Sequence, residues 1–148
     1  SSDLWDDSPQ GGFTSGTPWL PLSQDWRRTN VACEQHDPGS MLSLYKRLIW
    51  LKKHSQALTL GAYHPIDAGP KECLLFTREF READRKECLF IAVNFSAQPH
   101  KISLPAASFD STRTGRLILS TDPQRAEGVW TADQFHLGPD EGIVIRLQ

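Results

Sequence analysis

Two pairs of adjacent carboxylates are the side chains of this sequence best suited to acid–base chemistry. Asp6 and Asp7 fall in a turn-rich segment near the start, and Asp140 and Glu141 precede a mainly apolar segment near the end. Neighbouring residues usually point in different directions, so we do not expect either pair to act as a catalytic dyad. We expect Asp6 to fix its own turn and Asp140-Glu141 to form a solvated turn.

The other reactive residue types form no known site pattern. The five histidines show neither metal-ligand spacing nor an HExxH pair, and Gly11-Gly12 lacks the remaining residues of a phosphate-binding loop. No nucleophile elbow accompanies a serine, a histidine and an aspartate. We therefore predict no catalytic residue, no metal and no cofactor within this chain.

The composition indicates one ordinary domain with an apolar core. Of the 148 residues 39% are hydrophobic, and 16 basic against 18 acidic side chains give a net charge of −2. This balance argues against nucleic acid or an anionic membrane as a partner, because both select a basic excess. No apolar run approaches the roughly 18 residues of a membrane helix, so no membrane segment is predicted. No signal peptide is visible, and since Ser1 stands first we expect the native start to lie upstream.

The three cysteines are expected to be free thiols. An odd number makes a disulfide framework improbable on counting alone. If residues 72–81 and 86–95 form a hairpin, Cys73 lies opposite position 94 and Cys88 lies opposite Glu79. Cys73 and Cys88 are then too far apart along the hairpin to form a disulfide. Free thiols are typical of a reducing compartment, and we predict a cytoplasmic location.

One helix must follow the turn-rich segment. Residues 1–36 are rich in glycine and proline and contain three of the five tryptophans; we expect Trp19 and Trp26 to pack this loop to its scaffold. Ser40 is a suitable N-cap, and helical spacing of apolar residues predicts a helix over 40–54 with a broad apolar stripe. The stripe comprises Met41, Leu44, Tyr45, Leu48 and Leu51.

From about residue 60 the hydrophobic period becomes that of strands. Residues 88–95 are apolar on both faces, which predicts a central strand. Turn signals separate the segments, and no helix intervenes, so we predict a mainly β fold with an antiparallel β-sandwich. The predicted strands are Leu74–Phe80, Cys88–Phe95, Lys101–Leu104, Gly115–Ser120, Gln134–Leu137 and Glu141–Leu147.

A series of short motifs runs in order along the whole chain. The motifs are Trp5-Asp6-Asp7-Ser8-Pro9, Gly12-Phe13-Thr14, Gly16, Pro18-Trp19-Leu20, Asn30-Val31, Asp37-Pro38, Tyr45-Lys46-Arg47-Leu48-Ile49, Val93-Asn94-Phe95-Ser96 and Leu119-Ser120-Thr121. The most specific lie in the first third of the chain, and less specific ones follow to its end. Together they resemble the α-glucosidases of the α-amylase family (glycoside hydrolase family thirteen).

This resemblance implies a division of the chain. Residues 1–58 would be the final loop and eighth helix of a catalytic (β/α)8 TIM barrel, and residues 59–148 an all-β C-terminal domain that stabilises it. The parent protein would be a retaining α-glucosidase acting on α-linked gluco-oligosaccharides. Its catalytic carboxylates would lie on earlier barrel strands, which leaves Trp5 and Asp6 as candidate substrate-binding residues. The implied partners are the remainder of the barrel and the α-glucoside substrate.

Two other functions remain open. Non-catalytic members of the same family, such as the heavy-chain ectodomains of amino-acid transporters, would share the helix and the β-domain. An independent carbohydrate-binding β-sandwich is the third interpretation. The sequence upstream of Ser1 distinguishes the hydrolase from the transporter heavy chain, because only the hydrolase needs the barrel carboxylates.

Overall fold

The computed structural model describes residues 3–67, 69–104, 114–125, 128–131 and 134–148. The chain divides into two units, Ser1–Ile49 and Trp50–Gln148. The proposed boundary between barrel segment and β-domain, at 58 and 59, stays a prediction. The turn expected at Pro105 lies outside the described residues.

The first unit is mostly loop with two short helices and the beginning of a long one. A 3-10 turn covers Pro9–Gly12, and helix α1, which the hydrophobic pattern did not indicate, covers Val31–Glu34. Helix α2 spans Met41–His54 and confirms the predicted helix. The Ser40 hydroxyl accepts a hydrogen bond from the Ser43 amide at 3.1 Å, so Ser40 is the N-cap.

The second unit begins within α2 and is dominated by strands. Lys52, Lys53 and His54 occupy the last turn of α2, where positive charge complements the helix dipole. Helix α3, Gln56–Thr59, follows directly. The strands are β1 Ala62–Pro65, β2 Cys73–Glu82, β3 Arg85–Asn94, β4 His100–Ser103, β5 Thr114–Ser120, β6 Val129–Thr131, β7 Gln134–Leu137 and β8 Gly142–Leu147.

Within the described parts of the chain the strands form two antiparallel sheets, which confirms the predicted mainly β fold. The larger sheet has the order β1-β2-β3-β8-β5-β6, and the smaller pairs β4 with β7. The sequence pattern does not indicate β1 and β6. Both are short edge strands: β1 is exposed along its whole length, and β6 has only three residues, too few for a periodic signal.

The β2–β3 hairpin has the register expected from the sequence. Cys73 pairs with Asn94 and Glu79 pairs with Cys88, across a two-residue turn at Ala83-Asp84. None of the three cysteines, all of which the structure describes, forms a disulfide, as predicted. The strands run closer to the turn than expected because Ala83 adopts a positive φ of 44°, which lets a tight turn close the pair.

The core lies between the two sheets. Phe90, Ala92 and Ile145 from the large sheet meet Ile102 and Leu137 from the small one. The opposite face of β3 is also buried at Leu89 and Ile91, which confirms the predicted central strand. Burying each large apolar side chain contributes about 1.5–3 kcal/mol. Among the residues that the structure describes, no helix is long and apolar enough to cross a bilayer.

Candidate functional site

Asp6 is held by the turn that it forms. Its Oδ1 accepts hydrogen bonds from the Ser8 amide, at 2.9 Å, and from the Ser8 hydroxyl. Both bonds lower the pKa of Asp6, and the bond from the Ser8 hydroxyl has the larger effect. The carboxylate is therefore ionised at neutral pH. The expected turn role of Asp6 is therefore confirmed.

Gly11 and Gly12 serve the same turn. Three consecutive residues, Gln10 to Gly12, have positive φ angles of 62°, 63° and 68°, a region that glycine enters without steric cost. A Cβ on Gly12 would lie 2.8 Å from Oδ1 of Asp6, and one on Gly11 would lie 2.9 Å from the Leu4 side chain. This glycine pair lets the backbone approach a carboxylate of the same chain.

Backbone pairing joins this turn to α1. The Val31 amide donates to the Leu4 carbonyl at 3.0 Å, and the Ala32 amide donates to the Trp5 carbonyl at 2.9 Å. Asn30 is buried beside them. Its amide group donates to the Trp26 carbonyl at 3.0 Å, while its Oδ1 caps α1 by accepting from the Cys33 amide at 2.9 Å. Trp5 is thus held through its main chain.

Glu34 then connects α1 to α2. Its Oε2 accepts from the Leu42 amide at 3.0 Å, and its main-chain carbonyl accepts from the Ser40 hydroxyl at 2.7 Å. The carboxylate therefore satisfies one of the amides at the start of α2, which have no partner within the helix. No local motif marks Glu34, because its partner lies eight residues further along.

The aromatic side chains of the loop differ in exposure. Trp5 is 54% exposed, and Phe13 is also exposed. Trp26 is half-buried, with the Arg27 guanidinium 4.7 Å from its ring centre. Trp19 is 84% exposed, so the packing expected of it is not made within this unit. An exposed ring with its backbone held in place can stack on an apolar ligand face.

An open groove of about 580 Å³ lies between the start of the chain and α2. Its walls are mainly apolar and include Leu4, Val31, Met41, Tyr45 and Ile49. Three of these, Met41, Tyr45 and Ile49, are exposed side chains of α2, and Met41 and Tyr45 belong to its predicted stripe. Contiguous exposed apolar area of this kind marks a surface that another structure normally covers.

A second polar cluster lies in the β-domain, and it corrects the expectation for Asp140-Glu141. Glu141 is 2% exposed and accepts hydrogen bonds from the Ser120 hydroxyl at 2.8 Å and the Gly138 amide at 2.7 Å. Arg125 donates to both of its carboxylate oxygens. Burial opposes ionisation, but these hydrogen bonds outweigh it and lower the pKa of Glu141. Glu141 is a buried ion-pair residue.

Asn94 and Ser96, from a motif of the resemblance, adjoin this cluster. The buried Asn94 amide group donates to the Gln98 and Gly138 carbonyls, both at 2.7 Å, and its Oδ1 accepts from Ser96. The turn after β3 is therefore tied to the turn before β8. In this motif and in that around Ser120, the polar groups form hydrogen bonds within the fold. Both motifs therefore have a structural role.

Trp5 and Asp6, the two predicted substrate-binding residues, lie side by side in the loop, with Trp5 exposed and Asp6 half-buried. Within the described parts of the chain, no three His, Cys, Asp or Glu side chains lie together as metal ligands would. Asn30 and Glu34, which organise the loop, had no role in the sequence prediction beyond the Asn30-Val31 motif.

Comparison with known proteins places these elements in one family. The sequence model "Alpha amylase, catalytic domain" matches residues 2–61. An oligo-1,6-glucosidase of Parageobacillus thermoglucosidasius is 31% identical over 144 residues, which is 97% of this chain and 24% of that protein. An amino acid transporter heavy chain of Oryctolagus cuniculus is also 31% identical, over 150 residues, covering 97% of this chain and 26% of that protein.

Structural similarity agrees with the sequence. The crystal structure of a trehalose-6-phosphate hydrolase of Bacillus licheniformis superposes with a TM-score of 0.81 at 28% identity, over 98% of this chain and 25% of that one. The chain thus spans about a quarter of the length of the relatives it matches. Since both the barrel segment and the β-domain are matched, the chain belongs to the α-amylase family, glycoside hydrolase family thirteen.

Proposed function

We propose that this chain is the C-terminal part of a retaining α-glucosidase-type hydrolase that acts on α-linked gluco-oligosaccharides. The observation that carries the proposal is the similarity to an oligo-1,6-glucosidase through both units of the chain. The loop, α2 and the β-domain would complete and support a catalytic barrel, whose remaining part covers the apolar groove.

The reaction itself needs groups beyond this chain. Retaining glycosidases use two carboxyl groups about 5–5.5 Å apart, one as the nucleophile and one as the acid/base. Asp6 does not suit the acid/base role, because its hydrogen bonds with Ser8 lower its pKa and keep the carboxylate ionised. The catalytic pair is assigned to the preceding barrel strands.

Trp5 and Asp6 are proposed to contribute to the edge of the sugar pocket. The loops at the C-terminal face of a barrel form its active site, and the loop after the last strand is one of them. The exposed Trp5 ring offers an apolar surface for a sugar ring, and its main chain is held by Gly11 and Ala32. Asp6 orients this segment through its turn.

The decisive test assays the protein that contains this chain together with its upstream segment. We expect release of glucose from isomaltose and from p-nitrophenyl α-glucoside, with α-glucose as the first anomer in a proton NMR time course. β-Glucose as the first product would exclude retention. A folded protein that releases no glucose from any α-glucoside contradicts the proposal.

A transporter heavy chain is the second candidate, because one such protein is also 31% identical to this chain over 150 residues. The two candidates differ upstream, where the hydrolase requires catalytic carboxylates and a heavy chain requires a membrane helix instead. A membrane helix together with loss of those carboxylates favours the heavy chain.

We also propose a cytoplasmic location. No disulfide joins Cys33, Cys73 or Cys88, as is usual for proteins of reducing compartments. Burial, with a smaller contribution from Glu72, raises the pKa of Cys73 and keeps it an unreactive thiol. Fractionation of cells that produce the protein tests this: recovery in the secreted fraction contradicts it.

A further inference from the structure

The short segment that follows α2 is partly buried and is hydrogen-bonded to the β-sheet. Between His54 and β1 the chain makes only the single turn of α3. Ser55 and Ala57 are nevertheless 1% and 0% exposed, while Leu60 nearby is largely in solvent. Helix α3 contacts both β2 and β3. The end of the helical segment therefore lies against the sheet face that these two strands form.

Glu87 of β3 holds one side of this segment. Its Oε2 accepts hydrogen bonds from the Ser55 hydroxyl and from the Ala57 amide, both at 2.9 Å. Its Oε1 lies 3.4 Å from an Arg146 guanidinium nitrogen on the neighbouring strand. A carboxylate that accepts from a buried hydroxyl and a main-chain amide makes charge-assisted bonds, which are stronger than neutral ones.

Arg78 of β2 holds the other side. Its Nε donates to the Ala57 carbonyl at 3.0 Å, and an Nη donates to the Leu58 carbonyl at 3.4 Å. In the sheet register Arg78 pairs with Leu89, and Phe80 pairs with Glu87, so Arg78 and Glu87 lie diagonally on one face. Residue Ala57 thus has its amide bound by an anion and its carbonyl bound by a cation.

Gly61 makes this close seating possible. A Cβ at Gly61 would lie 2.5 Å from the Ala57 carbonyl oxygen and 2.9 Å from the Glu79 carbonyl oxygen. Both are main-chain atoms, which cannot move aside as a flexible side chain would. The chain can therefore pass from α3 onto the sheet only where the side chain is absent.

We propose that Glu87 and Arg78 form a clamp that couples the C-terminal end of α2 to the β-sheet. The division of the chain supports the coupling, since Trp50–His54, the end of α2, belongs to the same unit as the sheet. The inference rests on the proposed function only in identifying α2 as a barrel helix. With α2 as a barrel helix, the clamp is the contact through which the β-domain stabilises the barrel.

Hydrogen exchange of the 148-residue chain tests the clamp. Glu87→Ala and Arg78→Met remove its two sides, and Glu82→Ala is the matched control because Glu82 lies exposed at the end of the same hairpin. We expect the Ala57 and Leu58 amides to exchange about tenfold faster in either clamp variant, and those of residues 51–54 roughly threefold faster. Glu87→Gln, which keeps one acceptor, should show an intermediate effect.

Two results overturn the clamp. One is unchanged exchange over residues 51–61 in both clamp variants. The other is faster exchange spread evenly over β2 and β3, because that would report a general loss of sheet stability. Arg78→Met decides the matter if Glu87→Ala does not fold. The measurement uses no sugar, so its failure leaves the glycosidase assay unaffected, and an inactive enzyme leaves the clamp unaffected.

Discussion

The Arg125 guanidinium donates hydrogen bonds to both carboxylate oxygens of Glu141, a side chain that is almost completely buried. The same guanidinium donates to the His136 carbonyl at 2.7 Å. The pair therefore joins the turn after β5 to the turn before β8 and to β7 in the smaller sheet. Its hydrogen bonds with Glu141 raise the pKa of Arg125, which remains charged.

Replacing Glu141 should destabilise the β-domain. Glu141→Gln leaves the Arg125 charge without its partner and disturbs the bonds from Ser120 and Gly138. Because the Arg125 side chain keeps 27% exposure, we expect a loss of about 2–3 kcal/mol, below the full cost of breaking a buried pair. Urea unfolding followed by circular dichroism measures it, with Asp140→Asn as the exposed control. Equal midpoints for the two variants would contradict the prediction.

Acid should destabilise the chain through the same carboxylate. The pKa of Glu141 is lower in the folded state than its ordinary value of 4.5. Its contribution to stability is therefore complete above about pH 4.5 and is lost as the pH falls through the lowered folded value. The melting temperature of the native chain should fall more steeply below that pH than that of Glu141→Gln. Parallel curves would show that other carboxylates account for the whole dependence, such as Asp6 and Asp25, whose pKa values are lowered by hydrogen bonds from Ser8 and Ser23 respectively.

Adding one methyl group at Gly12 should disrupt the loop. Gly12→Ala places a Cβ against the Asp6 carboxylate at a positive φ, which costs about 1–2 kcal/mol for the conformation alone. Gly16→Ala is the matched control, since its nearest contact is an ordinary 3.7 Å to the Thr14 hydroxyl. We expect faster proteolysis of residues 3–12 in Gly12→Ala only. A cleavage rate equal to that of the control would refute the steric argument.

The apolar stripe of α2 should make the isolated chain associate. Met41, Tyr45 and Ile49 are exposed beside the groove, and the chain should bind a hydrophobic dye or sediment as oligomers. Tyr45→Lys with Ile49→Lys should reduce both signals. Val129→Lys, at an exposed apolar position on β6, serves as the control. A protease-resistant, monodisperse chain that binds no dye would contradict the prediction.

Asp6→Asn separates the turn role of Asp6 from contact with substrate. Asparagine keeps the oxygen that accepts from Ser8, so the turn should persist while the negative charge is lost. In the protein that includes the barrel, a direct sugar contact predicts a kcat/KM reduced about tenfold, and a turn role alone predicts little change. Trp5→Ala should reduce kcat/KM by a similar factor, because aromatic stacking contributes about 0.5–1.5 kcal/mol. Unchanged kinetics in both variants would exclude Trp5 and Asp6 from the sugar site.

Local features of this protein were readable from the sequence. The register of Cys73 with Asn94 follows from the two-residue period of a hairpin, and the Ser40 cap follows from hydroxyl chemistry at a helix start. The Asp6 turn likewise depends on groups two residues apart. Each of these depends on neighbours whose distance the chain itself sets.

Tertiary structure decided the roles of residues whose partners are remote. From the sequence, Glu141 resembles a solvated turn residue. In the folded chain it is hydrogen-bonded by Arg125 and Ser120, which lie 16 and 21 residues away. Glu87 has its partners 30 and 32 residues earlier, at Ala57 and Ser55. A charge is buried only when particular segments of the chain pack together. The sequence pattern does not indicate which distant segments will do so. Motifs therefore determined the family and the local turns, while long-range packing determined which carboxylates are buried.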